Sequence, residues 1–331
     1  EVTRFENQFA ELCGAKYALG VANGTESMVM LFRALGIGPG DEVITAPNSF
    51  VASASSITAV GATPIFADVR DDQNIDPAKV EAKITSRTKA LVPVHLTGRM
   101  ADMKALRVIA DRHKLPLLED AAQSVAAHTD GLKSGSAGLA ASFSLHPLKN
   151  LNAAGDAGVI TTSDEALFQK LKMMRNHGQP TRDEVKFWGF NSRLDTIQAA
   201  VLNVRMKRLG EVIEKRRANA RRYIEGLSDV VRTPKERAGE FHTYHVFVIM
   251  TERRDELRKH LDGQGIETKV HYPIPIHLQE AAQSLGHKPG SFPVTERQAK
   301  EILSLPIHQN LEVSQIAHVV ETIRKFFKGS S

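Results

Sequence analysis

Val21–Met30, VANGTESMVM, carries an apolar strand through Asn23, Gly24 and Thr25 directly into a helix. Beyond the turn, Met28, Phe32 and Leu35 keep a helical period, and Gly36 is placed to end the helix. A strand that feeds straight into a helix is a building unit of α/β sheets. It also leaves backbone N–H groups at the positive end of the helix dipole. The amides of Thr25 and Glu26, with the Thr25 hydroxyl, are therefore expected to face outward as an anion cradle beside Gly24. Alone, these residues read as readily as an ordinary turn in which Thr25 caps the helix.

Six further apolar runs accompany Tyr17–Asn23: Glu42–Pro47, Thr63–Val69, Lys89–Leu96, Leu115–Ala121, Ala140–His146 and Ala157–Thr162. Several are apolar without strict alternation, the pattern of strands buried on both faces of a mostly parallel sheet. Helical stretches separate most of them; Met100–Lys114, for example, places Met103, Leu106, Val108 and Ile109 ahead of Pro116. The expected architecture is α/β, a large domain over residues 1–205 built on a mostly parallel seven-stranded sheet. A single helix from Leu194 to Leu227 is expected to lead out of it, with 206–232 as the connection. Residues 233–331 read as a smaller α+β unit, with strands at Tyr244–Met250 and Ile266–Tyr272, a proline-rich loop through Tyr272–His277, and two closing helices.

The 331 residues hold 43 Lys and Arg against 38 Asp and Glu, a formal charge of +5. That balance suits anionic small molecules as readily as nucleic acid. The densest basic run, Arg205–Leu227, has Met206, Leu209, Val212 and Ile213 at helical spacing beneath its charges, so it reads as a solvated helix and no nucleic-acid partner is expected. Charged residues interrupt every apolar run well short of the roughly 20 residues that span a bilayer, so no membrane partner is expected. Cys13 is the only cysteine and no leader-like segment opens the chain, which points to a cytoplasmic enzyme. The chain does not start with Met, and Val2–Cys13 already reads as an amphipathic helix with Phe5, Phe9 and Leu12 on one face, so residues ahead of it are expected to be missing.

Two more stretches carry chemistry. Leu115–Ser124, LPLLEDAAQS, delivers Glu119 and Asp120 to the C-terminal end of a strand, the edge on which open α/β sheets place ligands. Alone, Asp120 reads better as a helix cap. Ser142–Gly158, SFSLHPLKNLNAAGDAG, places Lys149 in a polar loop after a strand, near Ser144 and His146. A lysine held in a pocket loses hydration, its pKa falls, and the free amine can attack a carbonyl. An anion cradle, a strand-end carboxylate and a loop lysine are the three parts that pyridoxal phosphate needs, for its phosphate, its ring nitrogen and its aldehyde. No metal site is expected.

These stretches resemble the DegT/StrS family of sugar aminotransferases, within the fold type I pyridoxal-phosphate enzymes, along nearly the whole chain. The most specific matches are EDAAQ, a serine five residues before the lysine of KNL, and GFNSRLD. The resemblance implies that Lys149 holds the cofactor as a Schiff base and later shuttles the substrate proton. It implies that Asp120 pairs with the ring nitrogen, Gln123 contacts the ring or its 3-hydroxyl, and Phe50 covers the ring face. Thr25, the Glu26 amide and Ser144 would hold the phosphate. Asn191 would reach the phosphate in a neighbouring subunit, so a homodimer with composite sites is implied.

The implied reaction has two halves, with glutamate as amino donor and a keto-sugar or sugar aldehyde, nucleotide-linked, as acceptor. Arg182, Lys186 and Trp188 of the loop, with His271, Tyr272 and His277, are the candidates for gripping that acceptor. Two departures concern the pocket: Asn152 and Ala157 stand where family members commonly have glycine, and Val125–Ala126 stand where His-Gly is frequent. The alternatives are a sugar dehydratase of the same family, which characteristically replaces the lysine by histidine, and a non-catalytic regulatory protein of the same fold.

Overall fold

The structure, a computed structural model, describes residues 1–329. All seven strand candidates form: β1 Tyr17–Val21, β2 Glu42–Thr45, β3 Thr63–Phe66, β4 Thr88–Val92, β5 Leu118–Asp120, β6 Ala140–Ser144 and β7 Gly158–Thr162. Ladders run through β3-β2-β4 and through β5-β6-β7-β1. Parallel bridges from Leu91 to Leu117 and from Val94 to Asp120 join the two halves into one sheet. Only β7 runs antiparallel to its neighbours β1 and β6. The C-terminal ends of the other six strands therefore share one edge.

Both faces of this sheet are covered, as the uninterrupted apolar strands require. Along β7 the period-two alternation sends Val159 into one core and Ile160 into another. The helices α1 Val2–Cys13 and α2 Gly24–Ala34 lie on opposite sides: Phe5 and Phe9 of α1 pack with Val159, while Met28 and Phe32 of α2 pack with Ile160. Burying each phenylalanine fully contributes about 1.5–3 kcal/mol. Of the apolar residues anticipated for α4 (Met103–His113), Met103, Leu106 and Ile109 are buried but Val108 faces solvent; between β2 and β3 lies α3, Ala52–Ala59.

The single helix expected from Leu194 to Leu227 is two. After α5 (Glu165–Met174), α6 spans Thr196–Met206 and α7 restarts at Leu209 and ends at Leu227. At the break the Arg208 N–H reaches back only three residues, to the Arg205 carbonyl, and Gly210, a poor helix former, follows. Along α7, Leu209 and Ile213 belong to a core of the large sheet, whereas Ala220, Tyr223 and Leu227 belong to the C-terminal core. Its charges are not all solvated: Arg216 is buried and donates to the carbonyls of Tyr244 and His245.

In the C-terminal part, β8 (Phe247–Met250) forms within Tyr244–Met250 as anticipated. Ile266–Tyr272 does not become a strand; only Lys269 pairs, with Ser304. The antiparallel partner of β8 is instead β9, Ile302–Leu305. Prolines 273 and 275, just beyond that segment, lack N–H donors and cannot continue a ladder past Tyr272. Helices α8 Arg254–Asp262, α9 Pro293–Glu301 and α10 Val313–Lys328 complete this part. Among the described residues no helix is long and apolar enough to cross a membrane.

Candidate active site

The C-terminal ends of β1, β2, β4, β5 and β6 surround a cavity of about 670 Å³, lined in part by Gly24, Phe50, Val94, Asp120 and Ser144. Chain direction explains the convergence: parallel strands leave their following loops on one edge.

At the end of β1, Asn23 rather than Thr25 caps α2, its side chain accepting the Glu26 N–H at 2.8 Å. The Glu26 amide anticipated as a free donor is thus already engaged. The N–H groups of Gly24 and Thr25 precede the first helical bond, from Ser27 N–H to Asn23 O, and Thr25 is exposed at the cavity. Close packing forms this turn: a Cβ on Gly24 would lie 2.9 Å from the Ser144 Cβ, and one on Gly158 only 2.4 Å from the Asn23 carbonyl. Glycine is required at both positions.

From β5, Asp120 is buried but reaches the cavity. One of its oxygens accepts the Ser53 hydroxyl at 2.6 Å and the other the Ala122 N–H at 3.2 Å. Its neighbour Glu119 points away, as strand alternation dictates, and is fully buried against His95, Gly135 and Gly138. Gln123 accepts the Thr97 N–H at 2.8 Å and turns its amide NH2 towards the Tyr272 hydroxyl at 3.5 Å.

Lys149 lies half-buried at the cavity wall after β6. Desolvation pulls its pKa down to about 8, opposed in part by the Asp120 carboxylate. The loop is locked around it: Asn152 donates to the Lys149 carbonyl at 2.7 Å and accepts from Arg205, and Asn150 donates to the Thr243 carbonyl. Asn152, standing where glycine is frequent, thus tethers the loop, while Ala157 is buried and Ala126 adopts a left-handed φ of 63°.

Gly24, Thr25, Glu26, Phe50, Asp120, Gln123, Ser144, Lys149, His271 and Tyr272 all line this one cavity. Phe50 is no core residue; it is 54% exposed, its ring centroid 5.9 Å from that of Tyr272. Burial raises the Tyr272 phenol to about 12 and lowers His271 from its ordinary value.

Five candidates lie elsewhere. Arg182, Lys186 and Trp188 are exposed in the 176–191 loop and do not reach the cavity of their own chain. Asn191 is exposed too, bridging to Asn176 through the backbone. His277 is a correction: it is 2% exposed, its Nε2 3.1 Å from Glu296 and its ring 4.6 Å from Phe292, so it is part of the packing and not of the cavity. Sequence reading missed Ser53 and His245, which line the cavity. Both were hidden because nothing in the local pattern distinguishes them; Ser53 lies among four serines of one short segment.

The residues fit pyridoxal phosphate: the Gly24 turn is open to an anion, Asp120 faces the cavity, and Lys149 carries a lowered pKa. Fold and site define a fold type I, pyridoxal-phosphate-dependent aminotransferase. The chain belongs to the DegT/DnrJ/EryC1/StrS aminotransferase family, whose model matches residues 1–324. It is 42% identical to the dTDP-3-amino-3,4,6-trideoxy-alpha-D-glucose transaminase of Streptomyces venezuelae, covering 98% of this chain and 87% of that one. It is 45% identical to a protein of Geobacillus stearothermophilus named a pleiotropic regulatory protein, covering 99% and 89%. Among solved structures, S. venezuelae DesV in complex with a ketimine intermediate superposes with a TM-score of 0.96 at 42% identity, covering 98% of this chain and 88% of that one.

Proposed function

We propose that this aminotransferase moves an amino group from glutamate to a keto group or aldehyde of a nucleotide-linked sugar, in amino-sugar biosynthesis. The observation that carries the reading is the convergence of Gly24, Asp120 and Lys149 on one cavity, together with the transaminase identity of the S. venezuelae relative. The cofactor supplies the reactive carbonyl and an electron-withdrawing ring. The Gly24–Thr25 turn and Ser144 would hold the phosphate, Asp120 would keep the ring nitrogen protonated, Gln123 would meet the 3-hydroxyl, and Phe50 would cover the ring. Lys149 Nζ, neutral in an appreciable fraction of molecules near pH 7, anchors the cofactor and then carries the proton to and from the substrate carbon. His271 and Tyr272 form the acceptor side of the cavity.

The proposal includes a homodimer: Asn191 and the 176–191 loop do not line the cavity of their own chain, and we assign them to a neighbour's. Residues 1–205, 206–232 and 233–331 serve as cofactor domain, connection and small domain; residues 330 and 331 lie outside the described ones. We assign the enzyme to the cytoplasm, in keeping with the unpaired, buried Cys13. Lysine at position 149 speaks against the dehydratase chemistry of histidine-bearing relatives. The regulatory name of the G. stearothermophilus relative describes that protein; a complete set of cavity groups supports catalysis here.

The test is to load the protein with pyridoxal phosphate, add glutamate, and follow the yellow band. Glutamate bleaches it and a nucleotide-linked keto-sugar restores it. A band that glutamate leaves unchanged refutes the donor, and restoration only by free keto-sugars refutes the nucleotide link.

A further inference from the structure

Asp120 is held at both carboxyl oxygens by groups that belong to different parts of the chain. The Ala122 N–H, two residues on, binds Oδ1 at 3.2 Å, whereas the Ser53 hydroxyl comes from the first turn of α3 and binds Oδ2 at 2.6 Å. Ser53 is 2% exposed and Asp120 6%, so water cannot substitute freely for either partner. The short distance is that of a hydroxyl donating to an ionised carboxylate. Ser53 also sits three residues after Phe50, whose carbonyl accepts the Ser53 N–H at 3.1 Å. One helix start thereby presents both the aromatic wall of the cavity and a clamp on its carboxylate. The other ionisable groups facing Asp120 are Lys149 and Tyr272, both across the cavity; Glu119 is turned away towards His95.

We infer that Ser53 is a positioning residue for the aminotransferase reaction, fixing the orientation and charge of Asp120 so that its carboxylate meets the ring nitrogen of the cofactor. A carboxylate with one oxygen fixed only by a weak backbone donor could rotate about its Cβ–Cγ bond, and a missing donor would leave its buried charge less well satisfied. The hydroxyl removes both freedoms. Ser53 does not touch the reacting atoms; it acts through Asp120. This inference rests on the assignment of Asp120 to the ring nitrogen, and the experiment separates the two.

Apoprotein is titrated with pyridoxal phosphate and with its deaza analogue, in which CH replaces the ring nitrogen, for wild type, Ser53→Ala and Ser53→Thr. Wild type binds the natural cofactor more tightly than the analogue; if it does not, the assignment of Asp120 fails. Ser53→Ala weakens the natural cofactor about tenfold, the size of one charge-assisted hydrogen bond, and leaves the analogue within about twofold. Ser53→Thr, which keeps the hydroxyl, retains wild-type discrimination between the two ligands. Equal losses for both ligands in Ser53→Ala, or loss of discrimination in Ser53→Thr as large as in Ser53→Ala, would overturn the inference and leave Ser53 a packing residue. Because each ratio is taken within one variant, a general loss of stability cancels.

Discussion

The edge of the large sheet and the 176–191 loop hold candidate site residues of different kinds. At the sheet edge, Gly24 follows β1 while Asp120 and Ser144 end β5 and β6, strands whose registers are set by ladders and whose surroundings are buried on both faces. In the loop, Arg182, Lys186 and Trp188 extend from the protein surface, Trp188 with 94% of its area exposed. The sheet edge therefore fixes geometry before any ligand arrives. The loop backbone is tied as well, His177 N–H to the Phe190 carbonyl and Lys186 N–H to the Gly178 carbonyl, but these three side chains are left in solvent. Under the proposed function, the chemistry common to the family would belong with the first, and discrimination among acceptors with the second.

The largest expected effect lies at the rigid end. Lys149→Ala should lower transamination by at least about 10⁴-fold and abolish the borohydride-reducible yellow band, since anchor and proton carrier are lost together. A variant that kept a reducible band would place the anchoring amine elsewhere and remove the sheet edge from its central role. The next test joins the two regions. Mixing Lys149→Ala with Asn191→Ala protomers creates hybrid dimers in which one site has both an intact Lys149 and an intact Asn191 from the neighbour. If sites are composite, random exchange restores about a quarter of wild-type sites. If each cavity uses its own Asn191, mixing restores nothing.

A smaller, graded effect follows from the Lys149 environment. Burial lowers its pKa to about 8, so the reactive neutral amine dominates above that pH and declines about tenfold for each unit below it. The rate at which apoprotein captures pyridoxal phosphate, followed by stopped-flow absorbance, should rise with pH and level off above about 8. A rate still climbing steeply near the ordinary lysine pKa of about 10.4 would mean that the cavity does not desolvate this side chain.

The sequence discloses these two regions unequally. Strand and turn are local statements: an apolar run, then Asn-Gly-Thr or Glu-Asp, places a residue at a strand end whatever the rest of the chain does, and all seven runs became strands. The clamp by Ser53 is a contact between segments 67 residues apart, and local pattern has no access to it. The same limit governs Ile302–Leu305, which pairs with β8 across 52 residues of chain, and His277, whose motif suggested a ligand but whose ring is closed in by Glu296 and Phe292. Within the large sheet, position on an element was legible. Partnership across elements was not.

His277 and Trp188 sharpen the contrast at the smallest scale, because both entered as acceptor-binding candidates and the structure gives them opposite surroundings. Breaking a buried polar pair is the larger of the two effects on the fold: His277→Ala leaves Glu296 without its ring partner and opens space beside Phe292, a loss of about 1–3 kcal/mol that a thermal melt reads directly. Its acceptor KM should stay within about twofold of wild type, since the ring does not reach the cavity. Trp188→Ala should do the reverse, leaving stability within about 0.5 kcal/mol because the side chain is solvent-exposed, while raising the acceptor KM several-fold in the dimer. If instead His277→Ala raised KM at unchanged stability, the buried position would have to open during turnover. Rigidity would then extend less far into the C-terminal part than the packing around Phe292 implies.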